Sequence, residues 1–149
     1  MSEIKPEPHL IRYEDMTVGM KESYDYVITP EVYGHFLKAF QDHSSIHVDD
    51  AYAQSRGFKG RVMHGTLLNG FFSHFVGMHF PGKMSLLLSV DIRFSNPSYL
   101  NDRLRLDAEL VQKLDARRVV VMDFQFTNRT RDWMAAKGRA QVMLAEDGV

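Results

Sequence analysis

The last part of the chain alternates apolar and polar residues in four long runs between positions 88 and 144. The apolar positions of these runs are Leu88, Val90, Ile92 and Phe94, then Leu104, Leu106, Ala108 and Leu110, then Val120, Met122, Phe124 and Phe126, and finally Ala136, Gly138, Ala140, Val142 and Leu144. A period of two with one polar face is typical of antiparallel strands that bury their other face. A further strand is predicted much earlier, from Lys21 to Ile28. The pattern therefore predicts five strands, four of them consecutive.

The region from His64 to His79 has a different period. Its apolar residues recur at helical spacing and leave little of the circumference polar: Leu67, Leu68, Phe71, Phe72, Phe75 and Val76. A helix that is apolar nearly all round is buried in a protein core. Gly70 and Gly77 each cost about 1 kcal/mol relative to alanine inside a helix, so their presence predicts that another backbone approaches closely there.

A shorter helix is predicted directly after the first strand. Thr29 has the hydroxyl of a good N-cap, Pro30 suits the first helical position, and the helix should end near Gln41. Its apolar face is predicted to consist of Val32, Tyr33, Phe36, Leu37 and Phe40.

The segment that follows, residues 42–47, reads Asp-His-Ser-Ser-Ile-His. It is polar and has neither a helical nor an alternating period, which predicts a structured loop between two helical elements. Loops of this kind often hold functional residues on a rigid scaffold. Asp49 is then the predicted cap of a short helix, and Gly57 suits its exit.

One early strand, helices and a meander of four strands describe an α+β domain with one buried helix. Strands of about ten residues reach roughly 33 Å, whereas a sixteen-residue helix spans roughly 24 Å, so the strands are long enough to curl around the helix. This is the hot-dog architecture, an antiparallel sheet of about five strands wrapped around one long central helix. We expect residues 1–149 to form a single domain of this kind.

Composition excludes several other classes of protein. The formal net charge is −1 and no run of five like charges occurs, so a nucleic-acid partner has no electrostatic basis. The chain has no cysteine, which excludes a disulfide framework and agrees with a reducing cytoplasm. The first nine residues lack the apolar stretch of an export signal, and the apolar region 65–80 is too short and too polar to span a membrane.

The polar loop and the start of the central helix resemble those of the MaoC-like enoyl-CoA hydratases, (R)-specific 2-enoyl-thioester hydratases of the hot-dog superfamily. Asp42 is followed by four residues and then His47, and a His64-Gly65 pair opens the central helix. The resemblance extends from the segment 13–20, YEDMTVGM, to Leu144. The order and spacing of the two elements together are more specific than an aspartate and a histidine five residues apart.

The resemblance implies a function for three of these residues. Asp42 and His47 would be a catalytic dyad that orients and activates a water molecule. A neutral imidazole and a carboxylate within reach of one water can exchange protons at neutral pH, which is the chemistry a hydration needs. Gly65 would direct its backbone N–H at the thioester carbonyl, where negative charge gathers.

The expected activity is therefore reversible hydration of a trans-2-enoyl thioester to a 3-hydroxyacyl thioester. The resemblance implies (R) stereochemistry and no metal or redox cofactor, with coenzyme A or the phosphopantetheine of an acyl carrier protein as part of the substrate. A sheet wrapped around one helix leaves an open face and edge that a second copy would cover, so we expect a cytoplasmic homodimer at least.

Two departures from the family pattern leave alternatives open. The family usually has glycine before the aspartate and an Asn-Pro pair inside the motif, where this chain has Gln41, Ser44 and Ser45. Ser44 can still make one hydrogen bond toward the substrate or the dyad, but it is shorter than asparagine. The rival functions are a hot-dog thioesterase, in which water attacks the carbonyl, and a non-catalytic module that binds acyl thioesters.

Other polar residues near these motifs are candidates for substrate binding. His64 either acts on the substrate or hydrogen-bonds to structure at the helix start. Lys59 and Arg61 precede the central helix, where they could meet phosphates of coenzyme A or pantetheine, or simply be solvated. His43 and His47 have metal-ligand spacing, but no further ligand completes a pattern in the sequence, so no metal is predicted.

Overall fold

The computed structural model describes residues 6–146 and contains the predicted sheet. Its five strands are β1 (Lys21–Val27), β2 (Ser85–Phe94), β3 (Arg103–Leu114), β4 (Val119–Asn128) and β5 (Trp133–Leu144). They lie in the order β1-β3-β4-β5-β2, and every neighbouring pair is antiparallel. Strands β3, β4 and β5 form a meander, and the early strand β1 pairs with its β3 edge. The predicted meander of four strands is wrong in one respect, because β2 pairs with β5 and not with β3, so the chain crosses the sheet between β2 and β3.

Four α-helices and two short 3-10 helices complete the described part of the chain. The α-helices are α1 (Pro30–Phe40), α2 (Ser45–Val48), α3 (Asp50–Ser55) and α4 (Thr66–Met78), and the 3-10 helices are Tyr13–Asp15 and Asp115–Arg117. Both predicted caps are confirmed. The Thr29 hydroxyl accepts a hydrogen bond from the Val32 amide at 3.1 Å, and the Asp49 carboxylate accepts one from the Tyr52 amide at 3.0 Å. The stretch 42–47 is only partly a loop, because its last three residues lie in α2.

Helix α4 lies against the concave face of the sheet and forms the core with it. Phe72 and Phe75 are completely buried, and the Phe72 ring stacks on Phe124 of β4 with 3.9 Å between ring centroids. Register shifts at Leu87/Ser89, Leu110/Gln112 and Phe126/Thr127 interrupt three of the four strand pairs. Such bulges bend a strand and increase its twist, which helps the sheet to curl around α4. The predicted α+β hot-dog fold is confirmed.

The inward face of β2 was predicted wrongly at Leu88 and Phe94, the first and last apolar residues of the predicted run. Leu88 is 48% exposed and Phe94 is 50% exposed. The reason for Leu88 is the shift in pairing between Leu87 and Ser89, because a one-residue change of register moves side chains to the other face of a sheet. Leu87 packs against the core instead. Phe40 is also exposed, because it is the last residue of α1 and lies beyond the core, where its ring packs on the ring of Phe36.

The expectation for the helix glycines was also wrong. A Cβ atom added to Gly70 or Gly77 would have no heavy atom within 4 Å, so no backbone approaches either position. The close approach lies in β5 instead, where a Cβ on Gly138 would come within 2.2 Å of the Asp91 carbonyl oxygen. Among residues 6–146, no helix is long and apolar enough to cross a membrane.

Candidate active site

Three segments of the chain meet at the N-terminal end of α4. Asp42 follows α1 and its C-cap Gln41, whose left-handed φ of 56° turns the chain sharply. His47 lies on α2, which is tied to the segment before α4 by a 2.9 Å hydrogen bond from the Val62 amide to the Ile46 carbonyl. His64 and Gly65 immediately precede α4. Residues far apart in the sequence are thereby brought side by side.

Asp42 is held by its own loop. Its Oδ1 accepts a hydrogen bond of 3.2 Å from the Ser44 amide, and its side chain remains 53% exposed. The Ser44 amide is the main reason that the pKa of Asp42 lies below its usual range, and the nearby His64 and His47 lower it further, whereas partial burial opposes them. The carboxylate is therefore ionised at neutral pH and can accept hydrogen bonds through Oδ2.

His47 presents one nitrogen to the backbone and keeps the other free. Its Nδ1 lies 2.6 Å from the Val62 carbonyl oxygen. Because a carbonyl oxygen only accepts, Nδ1 carries the proton, and Nε2 of the neutral ring has a free lone pair. The ring stacks on His64 with 3.7 Å between centroids. This is the protonation pattern that a general base requires.

His64 is buried, with 5% of its surface exposed. Its Nδ1 lies 2.9 Å from the Tyr33 hydroxyl, and its Nε2 lies 3.1 Å from Asp42 Oδ2. The second contact is close but is not aligned as a hydrogen bond, so Nε2 has no hydrogen-bond partner within the described residues. Burial and then the neighbouring His47 hold the pKa of His64 below its ordinary value, while Asp42 opposes them. His64 is therefore neutral at pH 7.

Asp42, His47 and His64 each offer one oxygen or nitrogen atom to a common space, and these three atoms lie within 4.8 Å of one another. Two imidazoles and a carboxylate could hold a divalent cation as well as a water molecule. In the sequence only His43 and His47 have metal-ligand spacing. Asp42, His47 and His64 come together through the fold, so the sequence pattern does not reveal this set. The metal-free site stays a prediction.

A cavity of about 290 Å³ opens beside the two histidines. Its lining is mostly apolar and includes Ile28, Phe58, Leu68, Phe94 and Ala135, together with His47, His64 and Gly65. Asp42 does not line this cavity and approaches the histidines from the solvent side. The site therefore has an apolar chamber on one side of the imidazoles and an ionised carboxylate on the other.

Gly65 is the N-cap of α4 and lies directly beneath the ring of Phe94. A Cβ atom at this position would be 3.0 Å from the ring, tighter than an ordinary contact. Within residues 6–146, the backbone N–H groups of Gly65 and Thr66 have no hydrogen-bond acceptor. The first N–H groups of a helix lack intrahelical partners and carry its positive dipole end, so they favour a partly negative oxygen.

The other predicted binding residues lie around this centre. The Ser44 side chain is exposed, and the residue contributes its amide rather than its hydroxyl to Asp42. Lys59 and Arg61 do not line the cavity, but they adjoin its lining residues Phe58 and Val62 in the chain. In the described part of the chain neither cation forms an ion pair or a side-chain hydrogen bond, so both charges remain available to a ligand.

Tyr33 is the site residue that the sequence analysis missed. It was assigned to the apolar face of α1, and it is indeed 2% exposed. Its hydroxyl contacts both His64 Nδ1 and the His47 carbonyl oxygen. A buried tyrosine hydroxyl usually needs a polar partner, which was the available signal, but the sequence could not say which partner.

The chain thus belongs to the class of hot-dog domains that have a carboxylate and two imidazoles at the start of the central helix. Comparison with known proteins agrees. The (R)-specific enoyl-CoA hydratase of Rhodospirillum rubrum is 26% identical over 136 residues, which cover 91% of this chain and 93% of that protein. The enzyme of the same name from Aeromonas caviae is 27% identical over 97 residues, covering 65% of this chain and 72% of the relative.

A solved structure extends the comparison to three dimensions. The unliganded R-hydratase PhaJ1 of Pseudomonas aeruginosa superimposes with a TM-score of 0.85 at 28% identity, covering 94% of this chain and 89% of that one. Residues 16–130 match the model of the MaoC like domain. The chain therefore belongs to the MaoC-like domain family, as the motif at Asp42, His47 and His64-Gly65 had suggested.

Proposed function

We propose that this chain is a hydro-lyase that reversibly hydrates a trans-2-enoyl thioester to a 3-hydroxyacyl thioester. The observation that carries the proposal is the convergence of Asp42, His47 and His64 within 4.8 Å beside the free N–H groups of α4 and an apolar cavity. The names of the relatives from R. rubrum and A. caviae support the same chemistry. Their (R) specificity supports an (R) product here.

In the proposed reaction, the thioester carbonyl accepts a hydrogen bond from the Gly65 N–H. A water molecule lies between Asp42 and His47, and His47 Nε2 takes one of its protons as the oxygen bonds to the β-carbon. The electrons of the double bond move to the α-carbon and carbonyl oxygen, where the start of α4 stabilises the negative charge. The proton then passes from the dyad to the α-carbon, so that one water is added and the dyad is restored.

The surroundings of the site suit an acyl thioester. Ile28, Leu68 and Ala135 give the cavity an apolar wall that an acyl chain can contact. Lys59 and Arg61 adjoin, in the chain, the lining residues Phe58 and Val62, and their side chains have no partner among the described residues. We assign them to the phosphates of coenzyme A or of a carrier protein's phosphopantetheine.

The two rival functions, a non-catalytic binding module and a thioesterase, predict different observations. A silent binding module would follow if Ser44 and Ser45 left the dyad disordered, but the Ser44 amide holds Asp42 at 3.2 Å, next to the histidines. A thioesterase would release free thiol from a saturated acyl-CoA, whereas the proposed hydratase would not. Binding of an enoyl-CoA without turnover would identify the silent module.

A homodimer is part of the proposal. Strand β2 is an edge of the described sheet, and two of its leucines, Leu86 and Leu88, are 55% and 48% exposed. An unpaired strand edge with exposed leucines is a surface that a second copy would cover. Replacing both leucines by lysine should shift the species measured by light scattering from dimer to monomer. A wild-type chain that is monomeric would contradict this part.

The activity is tested by following the loss of enoyl-thioester absorbance with a series of acyl chain lengths. Asp42→Asn and His47→Gln should each lower kcat/KM by about 10² to 10⁴-fold, the usual contribution of a positioned acid or base. His43→Ala is the matched control, because His43 is exposed and lies in the same loop. If the Asp42 and His47 variants remain within a few-fold of the control, the dyad is refuted.

The proposed chemistry uses no metal, although the site residues could hold one. Dialysis against a strong chelator should therefore leave kcat/KM unchanged. A loss of activity that added Zn²⁺ restores would reassign Asp42, His47 and His64 as metal ligands.

A further inference from the structure

We propose that Tyr33 is a positioning residue that fixes the tautomer of His64, and thereby makes the centre of the site a set of hydrogen-bond acceptors only. The inference rests on the proposed function and adds to it a residue outside the catalytic motif. It is carried by two contacts of one buried hydroxyl. Tyr33 lies 3.1 Å from the His47 carbonyl oxygen and 2.9 Å from His64 Nδ1.

The single proton of the Tyr33 hydroxyl decides the protonation of His64. The His47 carbonyl oxygen can only accept, so the hydroxyl donates its proton there. The hydroxyl must then accept at its other contact, and His64 Nδ1 is the donor. A neutral imidazole carries one proton, so His64 Nε2 is left with a lone pair. The buried Nε2 has no hydrogen-bond partner within the described residues, as this assignment requires.

The same reasoning applies to the whole centre of the site. His47 donates through Nδ1 to the Val62 carbonyl oxygen, so its Nε2 is also an acceptor. Asp42 is an ionised carboxylate and can only accept. Three acceptors therefore face one space with no donor among them. A species that only donates fits there, and a water that donates both protons keeps its oxygen lone pairs free to attack the substrate.

Removing the Tyr33 hydroxyl would change this pattern without touching the dyad. In Tyr33→Phe, His64 Nδ1 loses its acceptor in a buried environment, which favours the other tautomer. The proton then lies on Nε2, 3.1 Å from Asp42 Oδ2. Nε2 could then no longer accept a proton of the water, and a donor would stand among the acceptors of the site. We expect kcat to fall about tenfold or more, as when an outer partner of a functional histidine is lost, with KM little changed.

The chain offers a matched control at the other end of α4. The Tyr26 hydroxyl donates to the Phe71 carbonyl oxygen at 3.0 Å and lies 2.9 Å from His74 Nδ1, which repeats the Tyr33 pattern. Tyr26 is also buried and takes no part in the site. Tyr26→Phe removes an equivalent hydroxyl and should leave kcat and KM unchanged.

The experiment combines enoyl-thioester kinetics with ¹⁵N NMR of histidine side chains in the full-length protein, near pH 8. In the wild type we expect His64 to carry its proton on Nδ1, and in Tyr33→Phe on Nε2, with a loss of kcat that Tyr26→Phe does not show. A wild-type proton on Nε2 overturns the inference, as does an equal loss of kcat in both tyrosine variants. If the wild type hydrates no enoyl thioester, the proposed function fails, while the NMR result still decides the tautomer.

Discussion

The two ends of helix α4 carry the same pair of side chains but different surroundings. At each end a buried tyrosine donates to a carbonyl oxygen and contacts the Nδ1 of a histidine at 2.9 Å, Tyr33 with His64 at the start and Tyr26 with His74 at the end. At the start, the histidine faces the carboxylate of Asp42. At the end, it faces another imidazole, His79, with 5.2 Å between ring centroids.

The hydrogen bonding of the helix backbone also differs between the two ends of α4. The last carbonyl groups are taken by the protein itself, since the His9 amide donates to Met78 and the Gly82 amide donates to Val76, each at 2.9 Å. The first N–H groups, those of Gly65 and Thr66, have no acceptor within the described residues. One end of α4 is closed by internal hydrogen bonds and the other is open to a ligand.

These differences make the start of α4, and not its end, suited to catalysis. A tyrosine–histidine pair is not a functional site in itself, because the closed end has one too. The start of the helix adds a positive dipole end that stabilises a developing oxyanion, and the loop after α1 adds an ionised carboxylate. At the end of the helix an oxyanion would meet the negative dipole end instead.

The largest loss of activity should come from placing a side chain at Gly65, the start of α4. Gly65→Val places a branched side chain where a Cβ alone is 3.0 Å from the Phe94 ring, and it obstructs the approach of a carbonyl to the N–H. We expect kcat/KM to fall about 100-fold or more, the usual effect of losing one oxyanion donor.

Circular dichroism and a thermal melt serve as the controls for folding, and Gly65→Ala is the milder variant if valine unfolds the chain. The half-exposed Phe94 can yield to a single methyl group, so Gly65→Ala should fold and still lose activity. A folded alanine variant with wild-type kcat/KM would show that a Cβ at position 65 does not obstruct the substrate carbonyl, and so would contradict its placement at the Gly65 N–H.

The open end also shows what the sequence could and could not predict. The Asp42, His47 and His64-Gly65 motif indicated the right segments, because spacing and order are sequence properties. The contact between Asp42 and His64, and the part of Tyr33, depend on packing between elements. Alternation likewise predicted every inward residue of β3 but failed at Leu88 in β2, because a bulge changes the face of a side chain without changing the residue pattern.

The next largest effect is expected from pH, which should act differently through the histidines at the two ends of α4. Burial lowers the pKa of both His64 and His79, with neighbouring imidazoles adding to the effect. A histidine with a lowered pKa is protonated first in the unfolded state, so the stability it contributes is present above about pH 6.5 and is lost as the pH falls below that value. Protonation of either His64 or His79 should thus lower the free energy of unfolding in acid, whereas only protonation of His64 should affect kcat/KM.

The check uses His79→Asn, measured by chemical denaturation and by initial rates between pH 5 and 8. We expect a shallower loss of unfolding free energy below about pH 6.5 and an unchanged acid limb of kcat/KM. An acid limb that moves with this substitution would mean that the closed end is coupled to the reaction.

The smallest effect, a change in stability alone, is expected from a substitution near the C-terminal end of α4. Gly77 has ordinary helical backbone angles, and a Cβ there would meet nothing within 4 Å. Gly77→Ala should therefore raise the free energy of unfolding by about 0.5–1 kcal/mol, with unchanged kcat/KM. Destabilisation on urea denaturation would mean that this face of α4 is covered in solution, as by a second copy.

A double-variant cycle on Asp42 and His47 determines whether the two side chains act on one water. If both side chains act on one water, Asp42→Asn combined with His47→Gln should lower kcat/KM little more than the worse single variant does, because either change alone leaves the water inactive. Losses that multiply in the double variant would show two independent contributions and contradict a shared water.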